Sequence, residues 1–209
     1  FLFWPLTQPH GASESGLMTF SSAPIASSLR RSLPIETGVM KLVDLDRCYT
    51  VSRVPMENGK ELVLYAVHLS AYTSDGVIAN EQAEMLLSDM QSEYEKGNYC
   101  ICGGDFNKDL LGNSEEVFGI SAGDYTWAQP LPEELFRDKN ITLVPPLDPE
   151  NPVPSCRNAD APYHEGQYVV TVDGFLVSDN VIINSATVID TGFAYSDHNP
   201  VTMTFTLQP

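Results

Sequence analysis

Short apolar runs of strand length recur along this chain, and they limit its fold more than any other feature. Residues 62–67 are apolar at every position, which is typical of a strand covered on both faces. In residues 201–207, apolar residues alternate with threonines, the period-two pattern of a strand with one buried and one polar face. The pattern predicts a core built mainly of β-strands.

Similar signals predict the other elements. We expect strands at residues 15–25, 39–46, 61–70, 99–102, 168–178, 181–190 and 201–207. The dipeptide Asn58-Gly59 predicts a hairpin turn before the strand at 61–70. In residues 78–94, apolar side chains recur at steps of three and four, which predicts one long helix that ends at Gly97.

The segment 114–166 differs from the rest of the chain. Eight of the fifteen prolines fall between Pro130 and Pro162, so we expect mostly loop, with a short helix near residues 133–139. A loop this long in a compact domain is usually functional or disordered. No linker separates two cores, so the chain is interpreted as one α/β domain of layers on a strand-rich core.

The charge and the cysteines exclude some classes of protein. The net charge is −17, with 28 acidic residues against 11 Lys plus Arg, which argues against holding nucleic acid by bulk electrostatics. No stretch of about 18 apolar residues predicts a membrane span in this segment. Of the four cysteines, Cys100 and Cys102 are expected on one strand face as small core residues, because their spacing does not fit a zinc site.

Polar side chains able to do chemistry follow or interrupt four of the strand-like runs: His68, Asp105 with Asn107, Asp173, and Asp197 with His198. Taken singly, each has a simpler interpretation, such as a structural histidine or a turn-forming aspartate. Asp173 is harder to dismiss, since a carboxylate in an apolar run needs a partner or costs several kcal/mol. His198 is a plausible partner.

Together these residues suit attack of water on a phosphoester. Asp105, Asn107 and Asp197 supply the oxygen donors that a hard cation such as Mg²⁺ prefers. In an extended chain, Asp105 and Asn107 would project to the same side. A histidine backed by a carboxylate can support an imidazolium, and a second imidazole at His68 can give or take a proton.

Three sequence motifs follow one another along the chain: GGDFN, VDGFLVS and SDHNPV, with VHLS upstream of them. In this order they resemble the endonuclease/exonuclease/phosphatase superfamily, which has the deoxyribonuclease-I-like fold, and the resemblance runs from about residue 16 to residue 207. It implies a four-layer α/β sandwich. In that fold two mixed, mostly antiparallel sheets pack face to face with helices outside, and the site lies at one end of the sheets.

The resemblance also implies roles for the site residues. Asp105 and Asn107 match the pair that contacts the phosphate, the metal ion and the attacking water. Asp197 matches a metal-binding acid, His198 the catalytic histidine, and Asp173 the acid that pairs with it. The implied cofactor is Mg²⁺ or Mn²⁺.

Three further residues are weaker candidates. His68 matches a histidine that serves as an acid or phosphate contact in some branches of the superfamily. Arg157 and Lys108 could each contact a phosphate, and a solvated surface position is the equally simple alternative for both.

One departure from the family pattern leads to a separate expectation. The family begins with a strand carrying an Asn, a helix, and a strand ending in the principal metal-binding Glu, whereas only fifteen residues precede Gly16. Glu14 lies in a loop-like stretch and is not given that role. We therefore expect residues 1–209 to be one domain without its first strand–helix–strand segment, inactive alone, with the glutamate upstream.

The leading functional hypothesis is a metal-dependent phosphoester hydrolase, with a small or lipid-like phosphate favoured over DNA or RNA. The alternatives are a nuclease, a non-catalytic binding module that keeps the fold, and an unrelated β-sandwich adhesion domain. The last would leave Asp173 and His198 far apart. We expect a monomer. The sequence does not indicate the cellular compartment, and an anchor or signal upstream would imply an extracytoplasmic one.

Overall fold

The computed structural model describes residues 2–6, 15–35, 46–71, 77–123, 125 and 127–209. In chain order the strands are β1 (Leu2–Leu6), β2 (Ser15–Thr19), β3 (Ser27–Ser32), β4 (Cys48–Pro55), β5 (Glu61–His68), β6 (Tyr99–Asp105), β7 (Ile141–Val144), β8 (Cys156–Arg157), β9 (Val169–Val170), β10 (Asp173–Ser178), β11 (Val181–Val188) and β12 (Val201–Leu207). The helices are α1 (Val77–Glu95), α2 (Ser114–Phe118) and a 3-10 helix at Glu133–Phe136.

A six-stranded mixed sheet forms the centre of the molecule, with the strand order β3-β4-β5-β6-β10-β7. Strands β5 and β6 are parallel and are connected through α1, and the other neighbours in this sheet are antiparallel. Pairs β1–β2, β8–β9 and β11–β12 form separate two-stranded sheets. Because β5 and β6 run in the same direction, their carboxyl ends meet at one edge.

The central sheet is covered on both faces. Successive side chains of β6 point to opposite faces of the sheet, and each set packs in a different apolar cluster. Cys100 and Cys102 belong to the core cluster that includes Leu86, Leu87 and Met90 of α1. Burying such side chains stabilises the fold by about 1.5–3 kcal/mol each.

Tyr99 and Ile101, the alternate positions of β6, face the opposite way. They pack in a second cluster with partly buried side chains of the β11–β12 pair, among them Ile183 and Met203. The result is a helix layer, a sheet and a second sheet face to face, which confirms the predicted α/β sandwich class.

The long helix and several strands lie where the sequence predicts them. Helix α1 spans Val77–Glu95 against the predicted 78–94, and Gly97 follows it with a φ of 84°. The Asn58-Gly59 turn connects β4 to β5, as expected for a hairpin. Both Cys100 and Cys102 are free and fully buried, which confirms them as core residues.

Two predicted strands differ from the structure in their bounds. The strand predicted at 15–25 ends at Thr19. The strand predicted at 39–46 lies almost entirely outside the described residues and stays a prediction. The predicted strand 168–178 is interrupted, since the carbonyls of Thr171 and Val172 accept hydrogen bonds from Leu110 and Phe106 in the loop after β6. Strands β3 and β4 were not predicted, because β3 is almost entirely polar and β4 mixes polar and apolar residues without strict alternation.

None of the helices in the described ranges is long and apolar enough to cross a membrane.

Candidate active site

The sheet topology brings three of the predicted side chains into one row. His68 at the end of β5 is the register partner of Asp105 at the end of β6. On the other side, Asp105 pairs with Asp173, the first residue of antiparallel β10. Three strands therefore present polar side chains at the same edge of the sheet.

Two glycines allow the backbone to approach closely behind this row. Gly104 and Gly174 face each other across β6 and β10. A Cβ atom at Gly104 would lie 2.0 Å from the carbonyl oxygen of Val67, and one at Gly174 would lie 2.6 Å from Leu110 Cδ1. Gly104 has no room for a side chain because the contact is with backbone, whereas at Gly174 the Leu110 side chain would have to move. This close packing favours glycine before Asp105 and after Asp173.

The loop before β12 adds His198 to the row. Its Nδ1–H donates a hydrogen bond to Asp173 Oδ2 at 2.7 Å, while its Nε2 lies 4.0 Å from Asp105 Oδ2. The predicted His–carboxylate partners are thus in direct contact. The adhesion-domain alternative required them to lie apart.

Ser155 holds the carboxylate of Asp173 from behind. This fully buried hydroxyl donates to Asp173 Oδ2 at 2.8 Å and accepts from the backbone N–H groups of Val172 and Asp173, both at 3.0 Å. The sequence analysis missed Ser155, since a serine in a proline-rich loop carries no signal of such a role.

His198 is charged at neutral pH. Burial lowers its pKa, but the hydrogen bond to Asp173, the contact with Cys156 and the attraction of Asp173 outweigh burial and raise the pKa to about 11. Burial and the neighbouring Asp173 carboxylate raise the pKa of Asp105 to about 6, although His198 and the Asn107 N–H oppose this. A proton donor and a carboxylate that titrates near neutrality thus lie side by side.

His68 is neutral by contrast. Its Nε2 lies 3.3 Å from Asp105 Oδ2. Burial, the positive charge of Arg47 and that of His198 lower its pKa to about 3. Arg47 is itself only 5% exposed, and the sequence analysis did not single it out. The two histidines therefore differ in charge, and only His198 can donate a proton as an imidazolium.

Asn107 departs from the extended geometry expected of it. It adopts a left-handed conformation, with a φ of 49°, and its N–H donates to Asp105 Oδ1 at 2.8 Å. The side-chain amide donates to the Leu69 carbonyl at 2.8 Å. This hydrogen bond uses the amide nitrogen. The side-chain oxygen, which is the atom suited to binding a cation, takes no part in it.

A small cleft of about 120 Å³ opens beside the row. Asn107, Asp197 and His198 line it together with Trp127, Cys156 and Arg157. Asp105, Asp173 and His198 have potential ligand atoms within 4.8 Å of one another and could hold a metal ion. Asp197 lies at the cleft but outside that group.

The two weaker cationic candidates have different surroundings. Arg157 lines the cleft, and its guanidinium donates to the carbonyls of Asn158 and Ala161 at 2.9 and 2.8 Å. The loop thus fixes its orientation, and it is not a freely solvated arginine. Lys108 is only 3% exposed, so its surface alternative was wrong, and burial lowers its pKa.

Comparison with known proteins matches this architecture at low sequence identity. The human Nocturnin catalytic domain is 19% identical with a TM-score of 0.61, over 99% of this chain and 72% of that one. An endonuclease/exonuclease/phosphatase from Beutenbergia cavernae is 18% identical with a TM-score of 0.64, over 99% and 53%. ANGEL2, a 2',3'-cyclic phosphatase, is 16% identical with a TM-score of 0.63, over 100% and 74%.

No protein-family model matches the sequence, and no curated protein shows significant similarity to it. At these identities the structural likeness shows the fold, which is that of the endonuclease/exonuclease/phosphatase superfamily.

Proposed function

We propose that this chain, which has the endonuclease/exonuclease/phosphatase fold, belongs to a metal-dependent hydrolase of small phosphoesters. The observation that carries the proposal is the 2.7 Å hydrogen bond between His198 and Asp173, with the Asp105 carboxylate beside the same imidazole. A purely structural site has no need to gather two carboxylates and two imidazoles, all partly buried, at one strand edge, since partial desolvation of each is costly.

Each residue has a chemical task in this proposal. His198, charged and oriented by Asp173, donates a proton or a hydrogen bond to the phosphoryl group as negative charge develops. Asp105 accepts a hydrogen bond from the attacking water and orients it towards the phosphoryl group. His68, neutral and with a single N–H, holds the Asp105 carboxylate in position through its Nε2.

The potential metal ligands at the site are mostly oxygen atoms, which fits a hard divalent cation. Asp105, Asn107 and Asp197 would hold Mg²⁺ or Mn²⁺ in this proposal. When bound, the cation stabilises negative charge on the phosphoryl oxygens. Arg157 contributes a further positive charge at the cleft, and Lys108 is too buried to be given a substrate contact.

A small phosphate ester is favoured over nucleic acid for two physical reasons. The net charge of −17 repels polyanions, and the cleft of about 120 Å³ is narrow. One similar structure, ANGEL2, is a 2',3'-cyclic phosphatase, which supports hydrolysis of a phosphate ester in general.

The test compares His198→Ala with His164→Ala, a matched change at an exposed loop histidine. Hydrolysis of sugar phosphates, a 2',3'-cyclic nucleotide, sphingomyelin and plasmid DNA by the full natural chain is measured with Mg²⁺, with Mn²⁺ and with a chelator. We expect metal-dependent release of phosphate or a phosphomonoester, reduced about 10²–10⁴-fold in His198→Ala only. DNA nicking as the main activity would favour a nuclease, and no turnover of any substrate by the full natural chain would favour a binding module.

The metal affinity of residues 1–209 alone is expected to be weak. The potential metal group among the described residues consists of two aspartates and one histidine and contains no glutamate. Calorimetry with Mg²⁺ should show an affinity weaker than the millimolar range, or no binding. Binding in the millimolar range or tighter that is abolished in Asp197→Asn would contradict this.

A further inference from the structure

Helix α1 carries a polar side chain, Gln82, within the face that packs against the central sheet. Gln82 is 0% exposed, and its buried neighbours on this face include Ala79, Ala83 and Leu86. A buried carboxamide costs free energy unless its polar atoms are hydrogen-bonded. The partners of Gln82 therefore indicate which parts of the molecule it holds in place.

The carboxamide of Gln82 is hydrogen-bonded to two separate segments. Its Oε1 accepts a hydrogen bond from the Ser70 backbone N–H at 2.9 Å, and its Nε2 donates to the Pro34 carbonyl at 2.7 Å and to the Ser70 hydroxyl at 3.0 Å. Exchanging the oxygen and the nitrogen would place two acceptors together at Pro34 and two donors together at the Ser70 N–H. Only this orientation pairs all the groups, so Gln82 fixes the segment after β5 relative to α1.

The same segment is also hydrogen-bonded to the candidate active site. The Leu69 N–H donates to the Asp105 carbonyl at 3.0 Å, and the Leu69 carbonyl accepts the side-chain amide of Asn107 at 2.8 Å. That carbonyl and the Ser70 N–H belong to the same peptide group, which is planar and rigid. One peptide group therefore contacts Gln82 through its N–H and Asn107 through its carbonyl oxygen.

The orientation of the Asn107 side chain depends on this peptide group. The backbone N–H of Asn107 is held by Asp105 Oδ1, but its side chain is held by the Leu69 carbonyl. Because Nδ2 and Oδ1 of one carboxamide lie in a plane, the direction of the bond from Nδ2 to Leu69 also fixes the direction of Oδ1. A rotation of the Leu69–Ser70 peptide group would therefore turn the oxygen that is a ligand in the proposed metal site.

We propose that Gln82 is a positioning residue for Asn107 and acts through the peptide group between Leu69 and Ser70. Without the Gln82 carboxamide, the Ser70 N–H lacks this acceptor, and the peptide group can rotate away from Asn107. The expected effect on hydrolysis rests on the proposed function, whereas the effect on the orientation of Asn107 does not.

The first test is an NMR measurement on the full natural chain. The side-chain N–H signals of Asn107, assigned with Asn107→Ala, exchange slowly with water while the bond to Leu69 is kept. In Gln82→Met, which fills a similar volume without the carboxamide, this exchange should be at least about tenfold faster. The control is Glu93→Gln, which weakens another buried anchor of the same helix, the pair with Arg53, and should keep the wild-type rate.

Circular dichroism melting checks that each variant folds. A wild-type rate of Asn107 exchange in folded Gln82→Met would overturn the proposal. If Gln82→Met does not fold, Gln82→Glu decides, because it keeps an acceptor for the Ser70 N–H and loses the amide donor to Pro34. Its Asn107 exchange should stay within about threefold of the wild type, and a tenfold rise in the folded variant would refute the route through the Leu69–Ser70 peptide group.

The second test is hydrolysis of the best phosphoester substrate by the same variants with Mg²⁺. A misplaced catalytic group lowers the rate of the chemical step, so kcat should fall about 10–100-fold in Gln82→Met while KM changes less than about threefold. Glu93→Gln should keep the wild-type kcat, and an equal fall in both variants would show a general loss of helix anchoring instead of positioning. A chain that hydrolyses nothing but shows Gln82-dependent exchange at Asn107 would refute the proposed function and leave the positioning role standing.

Discussion

At the residue scale, the contact between Asp173 and His198 determines the charge of the site. Asp173→Asn removes the negative charge that raises the imidazole pKa, so that pKa should fall from about 11 towards 6.5. An NMR titration of the imidazole C–H signals, assigned with His198→Ala, measures the shift. Asp148→Asn, at an exposed loop position, serves as the control.

The same change has a signed effect on stability. Since folding raises the pKa of His198, the pair contributes fully below pH 6.5, and this contribution is lost as pH rises through about 11. Asp173→Asn should therefore destabilise the protein at neutral pH and flatten the alkaline limb of its stability profile. A His198 pKa that stays near 11 in the variant would show that another group supports the charge.

Gly104 and Gly103 offer a matched pair of substitutions. In Gly104→Ala the new Cβ meets the Val67 carbonyl oxygen at 2.0 Å, and this contact is with backbone, so β5 and β6 must separate. In Gly103→Ala the nearest atoms belong to the Phe175 ring at 3.3 Å, which can shift slightly. Urea unfolding should show a loss of about 3 kcal/mol or more for Gly104→Ala and about 1 kcal/mol or less for Gly103→Ala.

Sequence reasoning found the site residues that stand at strand ends but not those that support them. Asp105 and Asp173 were conspicuous because each interrupts or follows an apolar run. Ser155 and Arg47 reach the site from other parts of the chain, and their own neighbours in sequence give no sign of it. The left-handed conformation of Asn107 was also not predicted, since it depends on the hydrogen bond that its side-chain amide donates to the Leu69 carbonyl.

At the element scale, an ion pair between a partly exposed arginine and a buried glutamate ties α1 to the central sheet. Arg53 of β4 contacts Glu93 of α1 at 2.7 Å, and Lys96 and Asn98 also donate to Glu93 at 2.8 Å each. The hydrogen bond from Arg53 is the largest of the effects that lower the Glu93 pKa from 4.5 to about 2. The pair thus stabilises the fold above pH 4.5 and is lost as pH falls towards 2.

Glu93→Gln should remove this pH-dependent contribution. At neutral pH the variant should be about 2–3 kcal/mol less stable, because Arg53 loses a charged partner. The difference from the wild type should shrink as pH falls from 4.5 to about 2, where Glu93 itself takes up a proton. Urea unfolding across this range measures the effect, and Glu81→Gln on the exposed face of α1 should match the wild type throughout.

The elements that were predicted share a regular period, and those that were missed do not. Helix α1 and strand β12 carry clean apolar patterns over 19 and 7 residues. Strand β4 buries Thr50 and Ser52 almost completely. In the sequence, these polar residues indicate an exposed segment, although in the structure they lie in the core. Strands β8 and β9 have two residues each, which is too short for any period to show.

At the scale of the whole molecule, the negative charge should govern how substrates arrive. With a net charge of −17, the long-range field repels an anionic phosphoester, and salt screens that field over about 30 Å at 0.01 M and about 10 Å at 0.1 M. We therefore expect kcat/KM for a dianionic phosphomonoester to rise about two- to fivefold between these salt concentrations.

The charge of the substrate provides the control for this effect. A phosphodiester with a single negative charge should show a smaller rise, since its repulsion by the field is about half as large, and kcat should change little for either substrate. Stopped-time assays at matched Mg²⁺ activity separate screening from competition for the cation. If kcat/KM instead falls with salt, attraction by Arg157 and the charged His198 at the cleft dominates over the net charge. The preference for small substrates would then have to rest on the shape of the cleft alone.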